Sequence, residues 1–420
     1  METDPAVLDV RDLADPGVLL RDEVVADPRA LYDVLRREAP VWQLPGQDTF
    51  LVSDPALIRE AVGRPDDFSS NLVSLLRSDD RRCPVAFDLM PFGDATNVLA
   101  TADPPIHTRH RRLLQQHLSP AAVVALAPSV EAIVDQQLTP LLGAGPVDFV
   151  AGFSDPVPAR TVCALIGLPD DHLPRILDVV ARTGPLLDGV TDADGVVTAM
   201  HAAFELTVFV HEALDAALAR PPEERTGLLA VFADDIAAGE VSQDEVKNML
   251  LILVSAGSET TASLLATATE ALARDLDLQA RLRAEPEGIA DFLEETLRTS
   301  GPFQFHYRYA PADTELGGVA IPAHSRVLMM WAAANRPAPG VLEATTGADL
   351  DGRRPPHYAF GKGMHFCIGA PVARMEARLA LEQVLARATS IALVPDDPPT
   401  RRPSIFLRRH ARLPVVLTPA

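Results

Sequence analysis

The chain has 420 residues, a formal net charge of −21 and 47% hydrophobic residues. That is enough to bury a large core, and too acidic for the body of the protein to bind nucleic acid or an anionic membrane surface. Its three cysteines, Cys83, Cys163 and Cys367, show neither paired metal-ligand spacing nor a secreted disulfide framework; Cys83 reads as a loop thiol and Cys163 as a core residue.

The N-terminus, Met1-Glu2-Thr3-Asp4-Pro5, lacks the basic and apolar regions of a signal peptide. The strongly apolar run Met249 to Ala256 falls far short of the ~20 residues of a spanning helix. A cytoplasmic protein is expected. No linker, charge block or repeat divides the chain, only Pro-rich joints such as Arg220-Pro221-Pro222-Glu223, so residues 1–420 are expected to form one domain, with 1–30 peripheral or poorly structured.

In chain order, Val41-Trp42-Gln43-Leu44 and Thr49-Phe50-Leu51-Val52 flank Pro45-Gly46-Gln47-Asp48 and predict a hairpin. Asp103-Pro104-Pro105 opens a helix on which His107 and Arg111 share a face at i,i+4. Ser242-Gln243-Asp244-Glu245 has the spacing of a capping box. The helix it starts should run to about Asp275, roughly 50 Å at 1.5 Å per residue. In its middle stands Ala256-Gly257-Ser258-Glu259-Thr260-Thr261, a poor choice for helix stability. Small residues at 256 and 257 leave room for a diatomic ligand, and a Thr hydroxyl can open a local bulge in the ladder. Glu295 and Arg298 at i,i+3 form a helical ion pair. Strands follow in 315–322 and 326–330, and most remaining periodicity is helical. The fold class is therefore mainly α with a small β lobe.

The most informative stretch is Phe360-Gly361-Lys362-Gly363-Met364-His365-Phe366-Cys367-Ile368-Gly369-Ala370-Pro371. Glycines at 361, 363 and 369 let the backbone take positive φ and lie flat against a large planar ligand. Pro371 fits the first turn of a helix, with Val372, Met375 and Leu379 at helical spacing. Cys367 thus precedes a helix N-terminus, where dipole and free N–H groups favour thiolate. A lone cysteine would be read as structural; the full F-G-x-G-x-H-x-C-x-G pattern points to a thiolate ligand for haem iron.

That pattern resembles the haem-binding loop of the cytochrome P-450 superfamily of haem-thiolate monooxygenases. Three further segments in family order extend the resemblance over about residues 30 to 410. Arg64-Pro65-Asp66-Asp67-Phe68-Ser69-Ser70-Asn71 with His306-Tyr307-Arg308-Tyr309 is similar to an actinobacterial branch near family 144. The resemblance implies a single domain holding haem b between the long helix and the cysteine-loop helix, with Cys367 as the metal ligand. It implies cofactor contacts from Phe360, Gly361, Ala256 and Gly257, and a propionate clamp of His107, Arg111, Arg308 and His365. A buried carboxylate needs such partners.

The A-G-x-[D/E]-T-T likeness makes Thr260 the residue that hydrogen-bonds O2 and its waters, and Glu259 the proton relay. The E-x-x-R likeness makes Glu295 and Arg298 structural, with Arg353 or Arg354 as the third partner, and Ala334-Asn335-Arg336 matches a family stretch but for Pro337. Arg109, Arg111, Arg112, His110 and Lys362 are expected to form a basic spot for a ferredoxin, fed by NAD(P)H through a ferredoxin reductase. Family analogy places Leu72, Leu76, Phe87, Met90, Phe92, Leu186, Leu187, Ile252, Phe303, Phe305, Ile405 and Phe406 around a large hydrophobic cavity for a bulky apolar substrate. His306 and Gln304 would orient a polar substituent or serve the core. Two alternatives remain at this point: a peroxide-driven peroxygenase, whose members usually lack the acid-Thr pair, and a non-catalytic haem sensor.

Overall fold

The computed structural model describes residues 8–89, 97–115, 117–337 and 356–420. Its axis is the helix Gln243–Arg274. The expected capping box starts it: Ser242 Oγ accepts from the Glu245 N–H, and Glu245 Oε2 accepts from the Ser242 N–H at 2.9 Å. The helix carries apolar residues nearly all round, because it crosses the core: Met249, Leu250, Val254, Leu264, Leu265 and Leu272 are all buried. Around it pack Pro156–Ile166, Ala193–Ala219, Gly288–Ser300 and Ala370–Arg387. By length and hydropathy two helices, Ala193–Ala219 and Gln243–Arg274, would suffice to cross a membrane, which counting the run Met249 to Ala256 missed. In the central helix that apolarity is used by the core. On Ala193–Ala219 the outer face carries Glu205 and Glu212, paired with Arg182 and Arg175.

The β lobe is a four-stranded sheet in the order Val41–Gln43, Thr49–Val52, Arg326–Met329, His306–Tyr309. Its first pair is the expected hairpin, with Gly46 at φ +72° in the turn. The long-range pairing of Thr49–Val52 with Arg326–Met329 is parallel, and His306–Tyr309 closes the sheet antiparallel, Tyr307 opposite Leu328. A second sheet joins Ala388–Leu393, Pro414–Pro419 and Pro146–Asp148. The short ladder Thr400–Arg401 with His410–Arg412 lays the C-terminal hairpin along the central helix.

Residues 8–26 differ from the peripheral, poorly structured segment expected there. Leu13, Val18, Leu19 and Val24 are buried in one cluster with Tyr32, Phe305 and Phe406. Their burial supplies the order that local propensity does not, at roughly 1.5–3 kcal/mol for each large apolar side chain. Cys163 is buried and Cys83 half-buried in a turn, as read from the sequence.

Candidate active site

The cysteine loop is built by its own backbone. The Cys367 N–H donates to the Phe360 carbonyl at 2.9 Å, and the Gly361 N–H to that of Tyr358 at 2.8 Å. Gly361 and Gly363 take φ of +71° and +74°, as the flat loop requires. Gly369 does not: its φ is −82°, and it caps the helix Ala370–Arg387 with Pro371 in the first turn. Its contribution is electrostatic, because the N–H groups of Gly369 and Ala370 point at the Cys367 sulfur and pull its pKa down against burial, which pushes it up. Cys367 nonetheless keeps accessible surface. Phe360 is held from behind by the Arg374 guanidinium, 4.4 Å from its ring centre.

The central helix leaves a matching opening. Ala256 is exposed in the middle of an otherwise core-packed helix, and Thr260, one turn on, is half-buried on the same face. The helix runs through this segment without the expected bulge, since the Thr260 hydroxyl donates to the Ala256 carbonyl at 2.8 Å. Gly257 is small for another reason than cofactor contact: a Cβ there would lie 2.6 Å from Val162 of the neighbouring helix. Glu259 is not free. Its Oε1 accepts from Arg409 at 2.7 Å, and the same guanidinium reaches Asp155 at 2.6 Å. Burial raises the Glu259 pKa, and Arg409 opposes the rise.

The four clamp residues converge. His107, on Ile106–Gln115, and His365 face each other with ring centres 4.1 Å apart. Arg111 donates to the Phe366 carbonyl, and His365 Nε2 meets Ser70 Oγ at 2.9 Å. Asp103, the acid nearest the cluster, is taken up by the hydroxyl of Ser69 and the N–H of Ser70. Arg308 is buried, donates only to the Tyr307 carbonyl, and has no carboxylate partner among the described residues. Burial lowers its pKa to about 10; burial and the neighbouring Arg308 lower that of His365 to about 3. A buried set of cations and N–H donors without an anion is what two propionates would satisfy. Among the described residues no group of three His, Cys, Asp or Glu could hold a bare metal ion, so a metal on Cys367 must bring its own ligands, as a porphyrin does. The site fits haem.

The expected Glu295–Arg298 pair forms, but several partners around it and the loop were not readable in the sequence. Glu294 accepts from Arg374 at 2.6 Å and from His357 at 3.0 Å, tying the loop approach to Gly288–Ser300. Arg298 pairs with Glu295 through two bonds and reaches the Asn335 carbonyl, while Asn335 Oδ1 accepts the Tyr358 N–H. Arg353 and Arg354 lie outside the described residues, as do Met90 and Phe92. The basic spot is smaller than expected. Arg109 and His110 both engage Glu245, and Arg112 pairs with Glu240, because the helix bearing them docks on the acidic start of the central helix. Arg111 and Lys362 have no acidic partner among the described residues.

The expected apolar wall also changes. Leu72, Leu76, Leu186, Leu187, Phe303, Ile405 and Phe406 do come together. Phe305 instead turns to the core side, edge-on to Tyr307 and Phe406 at 5.3 Å. The cavity beside it, reaching Leu19 and Tyr32, holds only about 20 Å³. Gln304 is fully engaged: it donates to the Gly301 and Pro302 carbonyls and accepts from the Tyr32 hydroxyl at 3.0 Å.

A mainly helical fold with an accessible cysteine in a flat glycine loop, a cationic clamp and a small-residue opening in the facing helix defines a haem-thiolate protein. The Cytochrome P450 family profile matches residues 191–410. Cytochrome P450 144 of Mycobacterium tuberculosis is 36% identical over 402 residues, 95% of this chain and 91% of that protein. The 6-deoxyerythronolide B hydroxylase of Saccharopolyspora erythraea is 34% identical over 330 residues, 77% of this chain and 78% of that one. Ligand-free CYP164A2 of Mycobacterium smegmatis superposes with a TM-score of 0.82 at 28% identity, covering 95% of this chain and 98% of that one. The chain belongs to the cytochrome P450 family, as a monooxygenase with haem b as its cofactor.

Proposed function

We propose that the protein inserts one oxygen atom from O2 into a bulky, mainly apolar small molecule in the cytoplasm, with electrons from NAD(P)H by way of a ferredoxin reductase and a ferredoxin. The observation that carries this reading is the accessible Cys367 loop together with a central-helix segment that bears the exposed Ala256, Thr260 on the same face, and the Arg409-bound Glu259 beside them. Haem b bound at Cys367 supplies the redox chemistry, with thiolate electron density favouring O–O cleavage.

The chain's own groups do the rest. Arg308, Arg111, His107 and His365 hold the two propionates by charge and N–H donation. The N–H groups of Gly369 and Ala370 temper the sulfur's charge. Thr260, its proton directed to the Ala256 carbonyl, keeps its oxygen lone pairs for a water's hydrogen. Glu259 holds a proton more readily than a solvated glutamate, and Arg409 sets how easily it gives that proton up. The apolar wall of Leu72, Leu76, Phe303 and Phe406, and a relative named for hydroxylating 6-deoxyerythronolide B, support a bulky apolar substrate.

The test is the absorption spectrum of the reduced, CO-treated holoprotein. A red-shifted thiolate Soret band is expected, and it should vanish in Cys367→Ala; a histidine-type band in the unaltered protein would overturn the reading. Turnover should need ferredoxin, reductase and O2. Equal turnover with peroxide alone would identify a peroxygenase instead.

A further inference from the structure

Of the two polar side chains beside the apolar wall, Gln304 has every donor and its oxygen engaged, and His306 does not. His306 opens the strand His306–Tyr309, whose residues alternate between faces. Tyr307 points to the side where its hydroxyl accepts the Leu76 N–H at 3.1 Å. His306 therefore shares the other face with Arg308, a clamp residue.

Its ring is fixed from outside. The Trp331 indole N–H, which can only donate, reaches His306 Nδ1 at 2.7 Å. Nδ1 is therefore the acceptor and the ring proton sits on Nε2. Burial, with the charge of Arg308, lowers the pKa to about 3, so the ring stays neutral in this tautomer. Phe303 stands edge-on at 4.6 Å, and Phe406 flanks the ring at 5.9 Å. The Nε2–H meets no acceptor among the described residues, and the side chain keeps accessible surface. A neutral, oriented donor set between two aromatic rings is thus left for a ligand. The clamp already offers four donor groups for two carboxylates, and a neutral donor in an aromatic frame suits a neutral acceptor better.

We propose that His306 is a specificity-determining residue whose Nε2–H donates to a carbonyl, ether or hydroxyl oxygen of the substrate, so that the substrate is a bulky apolar molecule bearing a neutral acceptor. This rests on the monooxygenase reading above. A site built to satisfy such an oxygen discriminates against the analogue that lacks it, because the donor is then left unpaired.

The experiment compares ferric spin-state titrations of the holoprotein with matched probes: 5α-androstane against its 3- and 17-ketones, and cyclododecane against cyclododecanone. The CO spectrum is recorded first. A thiolate band with failed discrimination counts against His306 alone, whereas a missing thiolate band counts against the parent reading. At least one ketone should bind about tenfold tighter than its hydrocarbon. His306→Phe should abolish that preference with the hydrocarbon's affinity kept, and His306→Gln, which retains a donor, should restore part of it. Three results would overturn the proposal: no ketone response in the unaltered protein, an equal preference in His306→Phe, or loss of haem affinity in both variants without a change in preference. The last would assign the donor to a haem carboxylate.

Discussion

Arg409 stands between two carboxylates, Glu259 of the central helix and Asp155 at the start of Pro156–Ile166, and its guanidinium is nearly inaccessible. Removing it would strand both acids in the interior. Arg409→Leu is expected to lower the urea unfolding free energy by about 3 kcal/mol, with Arg409→Lys recovering part of that loss. An unchanged midpoint would show the acids to be solvated. This residue also marks where sequence reading stops. Cys367, His365, His107 and Arg111 were legible because each sits at a fixed short spacing from a neighbour that makes sense of it. Glu259 was legible as an acid, but its partner lies 150 positions away, and nothing local announces such a pairing. Glu245 was read as a cap, and it is one; that it also takes Arg109 and His110 follows only from how two helices dock.

The C-terminal hairpin joins the central helix at a second carboxylate, Glu270, which accepts from His410 at 2.7 Å and pairs with Arg401 and Arg274. Burial would raise the Glu270 pKa, but His410, Arg401 and Arg274 outweigh it and bring it to about 2. Burial lowers the pKa of His410, its hydrogen bond to Glu270 opposes that fall, and its Nε2–H donates to the carboxylate. Glu294 in the loop anchor is likewise held at about 2 by His357 and Arg374 against burial. Both folded values lie below the ordinary value of 4.5. The stability they contribute is therefore present above pH 4.5 and lost as pH falls toward 2. Acid titration of the unfolding midpoint should show a steep decline in that window, flattened by Glu270→Gln.

Glu376, on the helix that follows Cys367, works in the opposite sense. It is fully buried, its Oε1 has no hydrogen-bond partner among the described residues, and burial pushes its pKa up to about 8. An acid that stays neutral when folded but ionises when unfolded costs stability as pH rises from 4.5 toward 8. Glu376→Gln should therefore stabilise the protein by about 4 kcal/mol at pH 8 and by almost nothing at pH 4. The elements themselves were largely legible, since the capping box at Ser242 and the turn at Gly46 are local signals. The parallel pairing of Thr49–Val52 with Arg326–Met329 was not, because it joins strands more than 250 residues apart.

Across the whole molecule, a net charge of −21 surrounds a cysteine-loop face on which most arginines are already neutralised. Lys362 is the cation left there without an acidic partner among the described residues and outside the clamp, and so the residue on which the proposed docking of an acidic electron carrier is best tested. Lys362→Glu should raise the ferredoxin KM roughly fivefold at low ionic strength while leaving kcat with a chemical reductant intact, and the difference should fade in concentrated salt. A salt-independent effect would place the docking surface elsewhere.

Distant parts of the chain meet above the β lobe: Tyr32 donates to Gln304, Arg408 to the Ala26 carbonyl, and Leu19 and Val24 share a cluster with Phe406. During synthesis these early residues must therefore wait, exposed, until position 408 has cleared the ribosome. The last contacts of this cluster are consequently made late, between segments 382 residues apart, and its apolar members are open to aggregation until then.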